Sequence, residues 1–222
     1  KQMRTYLIAC TLSLIISLIL TPLLRDFAIR MNWVDLPDDR KIHKKPIPNS
    51  GGTILIVSIF FFYIILDGIF KINIYFYINI IIISLIFYIL GLIDDLKSPR
   101  TVIKIFSIFI ILILSLLQFS ELVVSELRFN YIYEQSISLG YLAIPFTIFC
   151  VFMFFNALNY SDGKNGICIS YSIFLMIFLS LIKSNNDNDL FNHFIILSLL
   201  ILLIFNLSNK LFLGNSGVNF IS

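Results

Sequence analysis

Charge is the scarcest property of this chain. Only 13% of its 222 residues are Asp, Glu, Lys or Arg, about half the share of a soluble domain. With 59% hydrophobic residues and a mean hydropathy of +0.95, that shortage excludes a soluble domain with a large core and leaves an integral membrane protein. The net charge of +3 offers no basis for a nucleic-acid partner. Cys10, Cys150 and Cys168 lie in or beside apolar runs without ligand spacing, and read as apolar packing residues. Histidine occurs only as His43 and His193, and His193 reads as structural or interfacial. Neither an internal repeat nor a low-complexity linker is evident. The apolar runs do not alternate, which excludes a membrane barrel.

What is present is a series of seven apolar runs, near 5–24, 51–66, 72–93, 102–120, 141–158, 166–183 and 191–207. Several stay uncharged for about 18–22 residues, enough to span a hydrocarbon core as helix. Helices are required because lipid offers backbone groups no other partner. The first run is too long for a signal-peptide core and has no clear cleavage site, so it reads as a membrane helix. The expected fold is therefore all-α, with about seven transmembrane helices. Alternate loops divide the basic residues eleven to five, the larger share including Arg25, Lys44, Lys97, Lys104 and Lys210. The positive-inside rule then sets the N-terminus outside and the C-terminus in the cytoplasm. Four polar segments fall on the cytoplasmic face: 34–52, 91–100, 156–166 and the stretch around Gly214 and Gly217.

Each segment has an ordinary and a chemical reading. VDLPDDRKIHKKPIPNSGG (34–52) is either a positive-inside loop or a phosphate-holding cluster, with Gly51 and Gly52 allowing close approach of an anion to a helix start. In GLIDDLKSPR (91–100), Asp94 and Asp95 end a long apolar run; they either cap or pair with nearby bases, or they hold Mg²⁺. In NALNYSDGKNG (156–166), Asn156, Asn159 and Asp162 are spaced by three and share one helix face. LFLGNSGVNF brackets Asn215 and Ser216 with Gly214 and Gly217, which is either a loop or a nest of N–H groups for a phosphate. Four such segments on one face suggest a site for a metal-bound phosphorylated substrate, reached from the cytoplasm.

In order and wording these segments resemble the polyprenyl-phosphate N-acetylhexosamine-1-phosphate transferases of glycosyltransferase family 4, kin to peptidoglycan translocase I. The resemblance runs through Asp35, Pro37, Arg40, Lys41, His43, Pro46, Gly51 and Gly52, then GLIDDLKSPR with Lys104, NALNYSDGKNG and LFLGNSG. The first motif is closer to the O-antigen and teichoic-acid branch. The resemblance implies transfer of an N-acetylhexosamine-1-phosphate from a UDP-sugar to a membrane polyprenyl phosphate, releasing UMP and requiring Mg²⁺. It implies Asp94, Asp95 and Asp162 as catalytic residues. Lys41, His43, Lys104, Asn156, Asn159, Asn165, Gly214 and Gly217 would contact substrate, and Asp95 and Asn215 the metal. It implies one transferase domain over 1–222 in a bacterial plasma membrane, active on the cytoplasmic side, with a homodimer open as its assembly. Asn215 stands where the family motif carries a metal-binding aspartate, and Ile108 where many members carry glutamine. The family continues beyond this motif into further helices and a His-rich loop, so the chain reads as lacking its C-terminal helices. A catalytically inactive relative that binds substrate or partners is the alternative. A transporter fits less well, because the acidic residues cluster at helix ends rather than at mid-membrane depth.

Overall fold

A computed structural model of the chain describes residues 2–37, 44–65, 75–97, 99–129, 135–162, 166–182 and 189–222. Lys41, His43 and Asn165 lie outside the described residues. The helices are α1 (Gln2–Arg30), α2 (Gly51–Ile65), α3 (Tyr75–Lys97), α4 (Thr101–Gln118), α5 (Ala143–Ser161), α6 (Ile167–Ile182), α7 (Asp189–Leu207) and α8 (Gly214–Ile221). The first seven coincide with the seven apolar runs, as backbone satisfaction in lipid demands. Among the described residues, three segments are long and apolar enough to cross a membrane: Cys10–Arg30, Thr101–Gln118 and Gly140–Ser161. Shorter apolar helices cover Gly51–Ile64, Ile167–Leu181 and Asn192–Leu207.

The helices present apolar side chains outward as well as inward. Along α4, Val102, Phe106, Leu114 and Leu117 are exposed, while Ile108, Leu112 and Leu116 are buried. An outward face of this kind suits lipid and not water. Ile108 packs with Phe87, Leu112 and Phe155 where α3, α4 and α5 meet. Packing thus accounts for the apolar residue at that position.

Two features depart from the all-α expectation. Short antiparallel strands β1 (Val34–Asp35) and β2 (Ile47–Pro48) pair across the first polar segment, with Val34 opposite Pro48. A hairpin of β3 (Glu126–Phe129) and β4 (Gln135–Ser138) links α4 to α5. A departure from the loop reading of the last polar segment matters more. The stretch from Gly214, read from sequence as a loop or nest, is the helix α8, and it is buried.

Helix α8 packs against α2, α3 and α5. Its Val218 joins Leu211 and Leu213 in a core with Ile54 and Leu55 of α2, Leu158 of α5, Ile169 of α6 and Leu202 of α7. Glycines make the approach possible. A Cβ on Gly52 would lie 2.3 Å from the Gly217 nitrogen, and one on Gly91 would lie 2.4 Å from the Asn215 carbonyl oxygen. Turned with its oxygen toward Gly91 and its nitrogen toward the Asn215 carbonyl, the Asn219 amide accepts from Gly91 N–H and donates to Asn215 O, each at 3.2 Å.

Helices α1 and α7 pack side by side and end alike. Asn32 (φ 54°) and Asn209 (φ 53°) take the left-handed conformation that asparagine tolerates. The next residue then donates back into each helix, Trp33 to Ala28 O at 2.9 Å and Lys210 to Phe205 O at 3.0 Å.

Candidate active site

The acidic pair occupies the last turn of α3. Successive helix positions point about 100° apart, so Asp94 and Asp95 meet different neighbours. Lys104, in the first turns of α4, donates to Asp94 Oδ2; both side chains are largely buried. Asp95 reaches across the bundle instead. Its Oδ1 accepts from Asn215 N–H at 2.9 Å and its Oδ2 from Ser216 N–H at 3.0 Å. The Asp95 carboxylate is therefore the N-terminal cap of α8, supplied by a residue 120 positions away. Capping satisfies two orphan donors and sets a negative charge at the positive end of the helix. Gly214, at φ 73°, makes room for it: a Cβ there would stand 2.9 Å from Asp95 Oδ2.

This geometry gives both Gly-bearing helix starts a structural role. The α8 N-terminus holds the protein's own carboxylate, and Gly214 and Gly217 serve close packing. The paired glycines of α2 are likewise engaged, Gly51 N–H donating to Phe212 O and Gly52 N–H to Leu213 O, both at 3.0 Å. The last polar segment thereby caps α2, and Phe212 N–H donates back to Pro48 O at 2.9 Å.

Asn156 and Asn159 lie on α5, one turn apart, as their spacing predicts. Each amide donates to the carbonyl four residues back, Phe152 O at 2.8 Å and Phe155 O at 3.0 Å. Their Oδ1 atoms remain as acceptors. Asp162 follows as the C-cap residue of α5. Its carboxyl is pushed up to about 7 from the ordinary 3.8, first by burial and then by the charges of Asp95 and Asp35. Burial also raises the Asp95 carboxyl, against the pull of the Ser216 and Asn215 N–H groups. Both residues lie beyond the apolar segments. Asp35 thus joins Asp95 and Asp162 in one region of negative potential, although its residue type and position in the first motif had suggested no separate role.

Asn206 carried no sequence signal except an amide at the end of an apolar run. It is buried, and it ties two segments together. Its Oδ1 accepts from Gly166 N–H at 2.6 Å, and its Nδ2 donates to Leu211 O at 3.0 Å. A buried amide in a membrane helix needs such partners, and that requirement was the clue available.

Asp95 and Asp162, coupled by charge, are the carboxylates that could contribute to a divalent-cation site. Burial first, and then the charges of Asp95 and Asp35, raise the Asp162 carboxyl to about 7. Mg²⁺ needs only one or two protein carboxylates when phosphates and water complete its shell. Among the described residues, no three His, Cys, Asp or Glu side chains lie together as a metal-holding group.

The sign of the pH effect follows. Between 3.8 and about 7, unfolded Asp162 is ionised while folded Asp162 keeps its proton. Stability without metal therefore falls as pH rises through that window, then levels off. Asp95, shifted in the same direction, contributes with the same sign. We expect the melting temperature in detergent to drop between about pH 4 and about pH 7. Asp162→Asn should flatten much of the slope, and added Mg²⁺ should raise the neutral-pH value. Identical slopes for wild type and variant would refute the assignment.

Comparison with known proteins places this arrangement among relatives. Residues 77–222 match the family described as glycosyl transferase family 4. The chain is 25% identical to a probable undecaprenyl-phosphate N-acetylglucosaminyl 1-phosphate transferase of Bacillus subtilis, over 100% of the chain and 61% of the relative. It is 31% identical to an undecaprenyl-phosphate alpha-N-acetylglucosaminyl 1-phosphate transferase of Thermotoga maritima, over 91% of the chain and 58% of that protein. A phospho-N-acetylmuramoyl-pentapeptide-transferase of Borrelia garinii is 30% identical, over 83% of the chain and 57% of the relative. The chain thus spans about three fifths of the length of these proteins.

Proposed function

The chain belongs to glycosyl transferase family 4, and from that premise we propose that it carries the acidic centre of a polyprenyl-phosphate sugar-phosphate transferase. The donor is a UDP-N-acetylhexosamine, the acceptor a membrane polyprenyl phosphate, and the products are polyprenyl-diphospho-sugar and UMP. The reaction belongs to the start of cell-envelope polysaccharide synthesis, on the cytoplasmic face of a bacterial plasma membrane crossed seven times. The observation that carries this reading is the charge coupling of buried Asp162 to Asp95 and Asp35, with Asp95 bound to the N-terminal N–H groups of α8.

Mg²⁺, held by Asp95 and Asn215 with Asp162 nearby, would neutralise diphosphate charge during the exchange. The remaining work falls to the chain. Lys104 offsets the charge of Asp94 and holds that carboxylate in place. The Asn156 and Asn159 carbonyl oxygens can accept from N–H or hydroxyl groups of a nucleotide sugar. A phosphate monoester is already largely ionised near neutral pH, so the acceptor's attack needs little help from a base. The outward apolar faces suit a lipid acceptor arriving laterally from the bilayer.

The test uses the chain in nanodiscs with polyprenyl phosphate and radiolabelled UDP-N-acetylglucosamine or UDP-N-acetylgalactosamine. The expected result is Mg²⁺-dependent UMP release matched by label in the lipid phase. Binding of UDP-sugar without turnover would support the inactive relative instead, a reading favoured by the amide at Asn215. Neither binding nor turnover with any UDP-N-acetylhexosamine would sink the proposal.

A further inference from the structure

A second polar cavity carries the opposite charge. It has a volume of about 490 Å³ and is lined by Arg25 of α1, Lys44 and Lys45 ahead of β2, and Lys210 just past α7, with no carboxylate in the lining among the described residues. Asp26 forms an ion pair with Arg25, Oδ1 to Nη1 at 3.8 Å, while Lys44, Lys45 and Lys210 keep the lining predominantly cationic. Arg25 Nε is buried and has no hydrogen-bond partner among the described residues. A buried donor of this kind calls for an acceptor. Pro46, Ile47 and Pro48 contribute a rigid apolar wall.

The surroundings indicate which anion. Ile29, one helical turn beyond Arg25 and on the cavity lining, is 43% exposed. Ile204 and Leu207, at the end of α7, are 67% and 59% exposed. The cationic cavity therefore opens where the apolar faces of two packed helices end. A free anion would use the cations alone. A lipid phosphate would use the cations for its headgroup and the apolar faces for its chain.

We propose that this cavity binds the terminal phosphate of a membrane lipid, with the hydrocarbon chain lying along α1 and α7. Arg25 supplies the directional fork, and Lys44, Lys45 and Lys210 supply charge. The inference does not rest on the transferase reading, because binding is measured without a sugar nucleotide. Failed turnover and failed lipid retention are separate results.

The experiment places the full chain in phosphatidylcholine nanodiscs doped with dioleoyl phosphatidic acid and counts retained lipid by native mass spectrometry. Wild type should retain phosphatidic acid selectively. Lys44→Gln/Lys210→Gln, which alters two exposed side chains outside the core, should weaken retention about tenfold. Arg25→Gln should do the same, while Arg25→Lys should keep part of the binding. Arg128→Gln, on the β3–β4 hairpin, removes a cation elsewhere and should change nothing. Equal retention by wild type and the Lys44/Lys210 variant would overturn the proposal. Displacement by inorganic phosphate as effectively as by the lipid would overturn the lipid assignment in favour of a free-anion site.

Discussion

Asp95→Asn is expected to abolish turnover and to loosen the bundle at the same time. The substitution is nearly isosteric, so packing alone predicts little change. The hydrogen bonds predict a large one. Both Asp95 oxygens accept backbone N–H groups, from Asn215 and Ser216. An asparagine keeps one acceptor and turns an NH₂ group toward the other donor. One N–H is left buried and opposed, and the negative charge at the α8 N-terminus is lost. Hydrogen bonds to a charged group are worth about 1.5–3 kcal/mol each, so the loss is expected at roughly 2–4 kcal/mol. Because the same carboxylate is a proposed metal ligand, turnover should fall by about 10²–10³ or more. Thermal unfolding in detergent and UMP release measure the two effects separately. A variant with wild-type melting and wild-type turnover would remove Asp95 from both roles. Normal turnover with lowered melting would leave it as a cap only.

The second large effect is expected from one methyl group. Gly52→Ala sets a Cβ 2.3 Å from the Gly217 nitrogen and 2.6 Å from its Cα. Both are backbone atoms, so no rotamer change relieves the overlap. Helix α8 must move away from α2, and it is held on its other side by Gly91, whose own Cβ would meet Asn215 and Ser216 backbone atoms at 2.4–2.7 Å. Overpacking of this kind costs about 1–3 kcal/mol where side chains can adjust; here the cost should reach or exceed the upper end. Displacing α8 also stretches the two bonds from Asp95. Gly52→Ala and Gly91→Ala should each lower the melting temperature and reduce turnover more than tenfold, although neither touches substrate. Unchanged melting in either variant would show that α8 has slack in this interface.

Much of the architecture was legible because hydropathy reports what faces lipid. The runs near 102–120 and 141–158 became α4 and α5 within a few residues. The three-residue spacing of Asn156 and Asn159 placed them on one face, since a helix repeats every 3.6 residues. The same signal was silent on α8. Its eight residues are too few to span a membrane, and Gly-Asn-Ser-Gly carries the composition of a turn. What makes it a helix is a carboxylate from another part of the chain and a glycine-lined slot between α2 and α3. Asn206 was hidden for a similar reason: its partners, Gly166 and Leu211, are set by chain folding and not by any local pattern.

By itself the sequence determined the membrane helices and the gathering of acidic, amide and glycine-bearing segments at helix ends. It could do so because burial in lipid penalises charge along a span and confines it to the ends. Only the tertiary structure decided that Asp94 and Asp95, adjacent in the chain, divide their work. Asp94 pairs with Lys104, and Asp95 caps α8. The physical reason is the turn of the α3 helix, which aims neighbouring carboxylates at different partners, and close packing then chooses which partners are there.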